Sequence, residues 1–228
     1  MAQRRGKRYT ELAKKVERGH EYTPDEGVKL VKETSGAKFD TTVEIHLRMG
    51  VDPKQADQMV RGAAVLPHGT GKTVRVIAFA QADKARDAKA AGADEVGTDD
   101  LAKKIEGGWL DFDVAIASPD MMRFVGKLGR VLGPVGKMPS PKSGTVTPDV
   151  ATAVREFKAG KIEYRTDDAG NVHAPVGRKS FDAKLLEENV NAFIEHIKAG
   201  RPASAKGTFL EKASIALTMG PGVGLVVR

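Results

Sequence analysis

The stretch Leu66-Pro67-His68-Gly69-Thr70-Gly71-Lys72-Thr73 is the first in this sequence whose residue types suggest chemistry, because a glycine-rich run ending in Lys-Thr can cradle phosphates in its backbone N–H groups. That motif needs a glycine where Leu66 stands and a helix after the Lys-Thr pair, whose amino end holds the phosphates. Thr73 instead leads into the apolar run Val74 to Ala80, so the segment reads as a glycine-rich linker between domains. A second candidate runs from Gly126 to Lys142. No acidic residue occurs from Met121 through Pro148, while Arg123, Lys127, Arg130, Lys137 and Lys142 are all positive. Its glycines allow close backbone approach and its prolines add stiffness, which suits either an anion site or a solvated basic loop. A dinucleotide fingerprint fails, since these glycines end a helix rather than open one after a first strand. His20, His46, His68, His173 and His196 lie in different segments, none at metalloprotease spacing, and no nucleophile elbow is present. The carboxylates fall mostly on predicted helix surfaces beside lysines. Neither catalysis, a metal nor a cofactor is expected.

Composition points to the partner. With 228 residues, 40% hydrophobic and 29% charged, the chain has globular rather than disordered character. The lack of cysteine excludes disulfides, thiolate zinc sites and a cysteine nucleophile, and fits a reducing cytosol. No run approaches the ~18 apolar residues of a membrane span, and Met1 to Lys7 has no apolar leader core. A soluble, cytoplasmic protein with no membrane partner is expected. Lys plus Arg number 37 against 30 Asp plus Glu, a net charge of +7 with a pI near 9.5, so the field favours polyanions. Only 5% of residues are aromatic, too few for a platform that stacks single-stranded bases. Structured RNA, read by shape, backbone and 2′-hydroxyls, fits better. Arg4, Arg5, Lys7 and Arg8 precede any acidic residue and read either as an RNA-touching arm or as a solvated end.

Several elements must position these residues. Thr23-Pro24-Asp25-Glu26 carries a capping box ahead of a short helix with Val28, Leu30 and Val31 on its apolar face. From Thr42 to Arg48 the residues alternate: Val43, Ile45 and Leu47 face one way, and Thr42, Glu44, His46 and Arg48 the other. This predicts a half-buried strand in a sheet with one wet face. The middle changes rhythm: apolar runs at Val74 to Ala80, almost continuous apart from Arg75, and at Phe112 to Ala117 alternate with helical stretches at Asp83 to Ala91, Asp100 to Glu106 and after Ser118-Pro119-Asp120. Such a pattern predicts a parallel sheet flanked by helices. Lys161 to Arg165 and Val172 to Val176 then read as a hairpin, Phe181 to Lys198 as an amphipathic helix, and Thr208 to Thr218 as a last strand. The predicted fold has two domains: an α+β domain built from both chain termini, residues 1–67 and 160–228, and an inserted Rossmann-like α/β domain, residues 68–159. Hinge crossings are expected near 67–72 and 158–161.

The motifs are also familiar. Phe39-Asp40-Thr41-Thr42-Val43-Glu44-Ile45-His46, Asp57-Gln58-Met59-Val60-Arg61-Gly62, the Leu66 to Lys72 run, Leu132-Gly133-Pro134-Val135-Gly136-Lys137-Met138-Pro139-Ser140-Pro141-Lys142 and Thr218-Met219-Gly220 resemble the large-subunit ribosomal protein L-one family, bacterial type, over essentially the whole chain. The resemblance implies a two-domain, non-enzymatic protein of the lateral stalk. It would bind structured large-subunit ribosomal RNA beside the exit site, assist release of deacylated tRNA and repress translation of its own messenger RNA. By the same resemblance, RNA contacts fall on Phe39, Glu44, Arg48, Thr218, Met219 and Gly220, with Lys38 and Thr42 beside them. Arg48 stands where the family pattern leads one to expect lysine, which keeps the charge but changes the donor geometry. The residues read on their own agree in one respect, since Glu44, Arg48 and Thr218 fall on the polar side of strands from opposite chain ends. Phe39 as a core ring and Met219 as C-terminal packing are the competing structural readings.

Overall fold

The computed structural model describes residues 6–17, 19–55 and 57–227. Arg4 and Arg5 lie outside the described residues. By internal contacts the chain divides into two compact units. One holds the chain through Gly71 and from Tyr164 onward, and the other holds Lys72–Glu163. These junctions fall four residues beyond the expected 67/68 and 159/160.

The first unit begins with α1 (Lys7–Ala13), β1 (Glu21–Tyr22) and α2 (Pro24–Glu33). Thr23 opens α2 with the predicted capping box: its hydroxyl accepts from the Glu26 amide at 3.4 Å, and its own amide donates to the Glu26 carboxylate at 3.2 Å. Then come β2 (Thr42–Met49) and β3 (Arg61–Val65). In β2, Val43, Ile45, Leu47 and Met49 are buried, and the residues between them face out.

The second unit contains β4 (Val76–Phe79), α3 (Ala82–Ala90), β5 (Glu95–Gly97), α4 (Asp99–Glu106), β6 (Val114–Ala117), α5 (Met122–Val125), α6 (Gly129–Val135) and α7 (Val150–Ala159). Its sheet is parallel, in the order β5-β4-β6. Every residue of β4 is buried because both faces are covered. Ile77, Phe79 and Ala117 pack with Leu101 and Ile105 on one side, and Val76, Ala78 and Ile116 pack with Val154 and Phe157 on the other. The Gly126 to Lys142 stretch is not a single loop. Much of it is a chain of helical turns that bury Val125, Leu128 and Leu132, apolar residues at helical spacing that the intervening glycines conceal in the sequence.

The chain returns through β7 (Lys161–Arg165), followed by β8 (Asn171–Arg178), α8 (Ala183–Ala199), β9 (Leu210–Leu217) and β10 (Val223–Leu225). The hairpin reading of β7 and β8 is corrected, since β7 belongs with β3 and β8 joins the five-stranded sheet β1-β10-β9-β2-β8. The turn itself forms, with Asp167 N–H donating to the Asn171 carbonyl at 2.8 Å, but pairing goes no further than a Thr166–Val172 bridge. Thr166 explains this by donating both its amide and its hydroxyl to the Val60 carbonyl at 2.9 Å, which commits that strand elsewhere. The five-stranded sheet is antiparallel except for β1 against β10. α2 and α8 cover one of its faces. The molecule is thus mixed α/β with several sheets, one of them parallel.

Candidate nucleic-acid interface

The uncovered face of the five-stranded sheet collects outward side chains from three strands. Glu44 sits between Pro175 of β8 and Ala216 of β9, His46 between His173 and Ser214, and Arg48 between Asn171 and Lys212. A bulge at Val43/Glu44 leaves Val176 and Gly177 both buried, which turns Arg178 outward opposite Thr42. Pro175 costs no ladder bond on the open side because β8 is an edge strand. Thr218 continues β9 past its last paired residue and donates its amide to the Thr42 carbonyl at 3.1 Å, so residues 176 positions apart meet at one corner.

Two apolar side chains project at that corner. Phe39 is 58% exposed and Met219 71%, which sets aside both the core-ring and the C-terminal-packing readings. Phe39 is held out by its neighbours: the Asp40 carboxylate accepts from the amide and hydroxyl of Ser180 at 3.1 and 2.9 Å, and Lys179 N–H donates to the Thr41 carbonyl at 2.9 Å. Met219 lies in a turn closed by Gly220 N–H to the Leu217 carbonyl at 2.8 Å, with φ of 65°. A non-glycine residue held in that left-handed region costs on the order of 1 kcal/mol, and such strain concentrates at functional positions. A Cβ on Gly220 would lie 3.2 Å from the Leu217 carbonyl oxygen, so glycine lets the turn close tightly.

The face carries both charge signs. Arg48 contacts Glu211 at 3.4 Å and Arg178 contacts Asp40 at 3.7 Å, while Lys38 and Lys212 are exposed. Among the described residues no ion pair holds Glu44, whose flanking side chains across the sheet are uncharged. A depression of about 460 Å³ lies further along the face, lined by His20, His46, Arg48, His173, Lys212 and Ser214 among others. Burial pushes the His46 pKa down and the neighbouring His173 adds to the fall, against an opposing pull from Glu44. The backbone N–H of Asn171 holds Asp167 at about 2, helped by the Asn171 and His173 side chains.

The remaining predicted residues have other surroundings. Arg123, Lys127, Arg130 and Lys142 are exposed on the second unit. Lys137 has partners of its own: its ammonium donates to the Leu110 carbonyl at 3.0 Å, also donates to the Phe112 carbonyl, and lies over the Phe112 ring. Lys7 and Arg8 open the first turn of α1, and the Arg8 guanidinium donates to the Gly36 carbonyl at 3.2 Å. Lys72 pairs with Asp113 at 2.6 Å, and no helix follows it. Sequence reading missed Asn189. This fully buried residue in α8 accepts from the His68 amide at 3.1 Å and donates to the Gly69 and Val176 carbonyls at 2.9 and 2.8 Å. The one signal available was an asparagine on the apolar side of an amphipathic helix.

A sheet with one helix-covered face and one polar face bearing exposed apolar side chains, in a chain of net charge +7, suits a nucleic-acid partner. The model of the ribosomal protein L1p/L10e family matches residues 31–221, from within α2 to just past Gly220, and the chain belongs to that family. Family members are non-enzymatic, cytoplasmic components of the large ribosomal subunit that bind its RNA. Among the described residues no helix is long and apolar enough to cross a membrane.

Proposed function

We propose that the uncovered sheet face is the surface by which this chain holds folded ribosomal RNA, with Lys38, Phe39, Thr42, Glu44, Arg48, Thr218, Met219 and Gly220 making the contacts that discriminate. The observation that carries this reading is the corner where Phe39 and Met219 stand exposed beside Glu44, which no ion pair holds among the described residues. A carboxylate there accepts from 2′-hydroxyls or a guanine amine, Thr218 donates or accepts, and the apolar side chains pack on sugars and bases. Arg48 supplies charge while remaining oriented by Glu211.

The finer reading is a lateral-stalk protein that assists release of deacylated tRNA from the exit site and represses its own messenger RNA. A rigid surface that recognises a folded RNA element will also recognise the same fold in a messenger, which supports the repressor reading. The two compact units act as separate domains in this proposal. Arg123, Lys127, Arg130 and Lys142 then form a secondary cationic surface for RNA backbone, with the Arg4, Arg5, Lys7 and Arg8 end as a further phosphate contact.

The test is a set of binding titrations with Glu44→Ala and Thr218→Ala at several salt concentrations. Each change is expected to weaken cognate RNA by about 1–3 kcal/mol, the scale of a lost desolvated hydrogen-bond partner. Neither removes a cation, so the salt dependence stays nearly constant. If Glu44→Ala tightens cognate and random RNA equally, Glu44 is only a repulsive surface charge and recognition lies elsewhere.

A further inference from the structure

In the middle of the outer sheet face two imidazoles meet. His46 of β2 and His173 of β8 are directly opposite in register, their rings 5.0 Å apart at 65°, with Nδ1 of one 2.8 Å from Nδ1 of the other. On its far side His173 Nε2 stands 3.3 Å from the Asp167 carboxylate, which is itself fixed by the amides of Ala169 and Asn171 at 2.9 and 2.6 Å. A neutral imidazole has one N–H to give. Donating it from Nε2 to Asp167 leaves the His173 Nδ1 lone pair turned toward His46, and this carboxylate–imidazole arrangement is the one that orients metal-binding histidines.

The spacing carries the argument further. Two nitrogens in adjacent positions of a square or octahedral ion, each bonded at ~2.0 Å, stand roughly 2.8 Å apart, the separation seen here. His173 is half exposed, which leaves the pair open to an ion from solvent. Among the described residues no cluster of three or more ligating side chains forms, so two imidazoles are what the protein offers, and water completes the shell.

We propose that His46 and His173 form a two-imidazole chelate for a tetragonal divalent transition-metal ion, with Asp167 as the residue that positions His173. Copper(II) heads the affinity order for nitrogen ligands and is the probe of choice. The site is read from the sheet register and side-chain geometry alone and stands whether or not this face binds RNA.

The test is titration of the full, untagged chain with copper(II), read by calorimetry and by electron paramagnetic resonance. One ion per chain is expected, with a hyperfine pattern from two equivalent nitrogens. His46→Gln and His173→Gln are each expected to lower affinity roughly tenfold or more, and Asp167→Asn about tenfold, the usual effect of losing a ligand's orienting partner. His20→Gln removes another imidazole lining the same depression and is expected to change nothing. The unmodified chain decides the matter even if a variant folds poorly. A spectrum with a single nitrogen, or affinity unchanged from the parent chain in the His46 and His173 variants, would mean the two rings only hydrogen-bond to each other and the proposal is wrong.

Discussion

Met219 separates stability from recognition at the level of one residue. Its left-handed backbone is strained, and its side chain is largely in solvent. Met219→Gly relieves the strain and removes little buried area, so chemical denaturation is expected to show stability unchanged or raised by up to about 1 kcal/mol. Affinity for cognate RNA falls in the same variant, because the side chain that would pack on RNA is gone. Unaltered affinity would remove Met219 from the interface. Asp113 makes a different point. Burial alone would raise its pKa, but the Lys72 ammonium and the Arg75 amide outweigh burial and hold it below the usual carboxylate range. A carboxyl lowered in the folded state stabilises the protein above its unfolded pKa and loses that contribution as pH falls through the folded value. Asp113→Asn is therefore expected to destabilise around pH 7, and the gap to the parent should narrow in urea titrations as the pH falls below the usual carboxylate range. A gap constant with pH would show that the Lys72–Asp113 pair adds nothing. The same pair occupies the lysine that the Gly-Thr-Gly-Lys-Thr run would otherwise offer to a phosphate.

Among the elements, α8 does more than cover the sheet. Leu186, Val190, Phe193, Ile194 and Ile197 supply its apolar face, and Asn189 interrupts that face to hold the turn at His68–Gly69 and the end of β8. Replacing Asn189 by Ala leaves the His68 amide and the buried Gly69 and Val176 carbonyls without this partner, an expected loss of about 2–4 kcal/mol in thermal or chemical unfolding. A loss below about 1 kcal/mol would mean water replaces the amide. The helix is legible from its period, but this function is not, because a period records which face is buried and says nothing about a polar group buried within it. The β7–β8 pair shows the same limit: the Asp167 to Gly170 turn is plain in the residues, whereas the strand's choice of partner rests on Val60, more than a hundred positions away.

For the whole molecule, the two-unit division makes a prediction about independence. A chain in which Lys72–Gly160 is replaced by a short flexible linker from Gly71 to Lys161 is expected to fold cooperatively, because these cuts leave β7 whole for its pairing with β3 and the five-stranded sheet draws no strand from the removed segment. It should retain most of the affinity for ribosomal RNA. Failure to fold, seen as loss of amide dispersion in a proton–nitrogen spectrum, would refute the discontinuous-domain proposal. A folded chain with little affinity would instead move recognition to the basic surface around Arg123, Lys127, Arg130 and Lys142.

The residues alone determined the alternating strand Thr42 to Arg48, the capping box at Thr23, the change from half-buried to fully buried strands in the middle of the chain, and the failure of the phosphate-loop motif. Each depends on neighbours within a few positions, where side-chain period and backbone chemistry act directly. Tertiary structure decided what depends on distant partners. It turned the basic glycine-rich stretch into helical turns, because Val125, Leu128 and Leu132 found a core to enter. It took Lys137 out of the free cations by surrounding its ammonium with carbonyls, and it brought Thr218 to Thr42 and His173 to His46. It also exposed Phe39, a side chain whose type alone fits a core as well as a surface, because Asp40 and Thr41 anchor the flanking backbone to residues 179 and 180. Burial and pairing are properties of the space around a residue, and that space is filled by parts of the chain the local sequence does not contain.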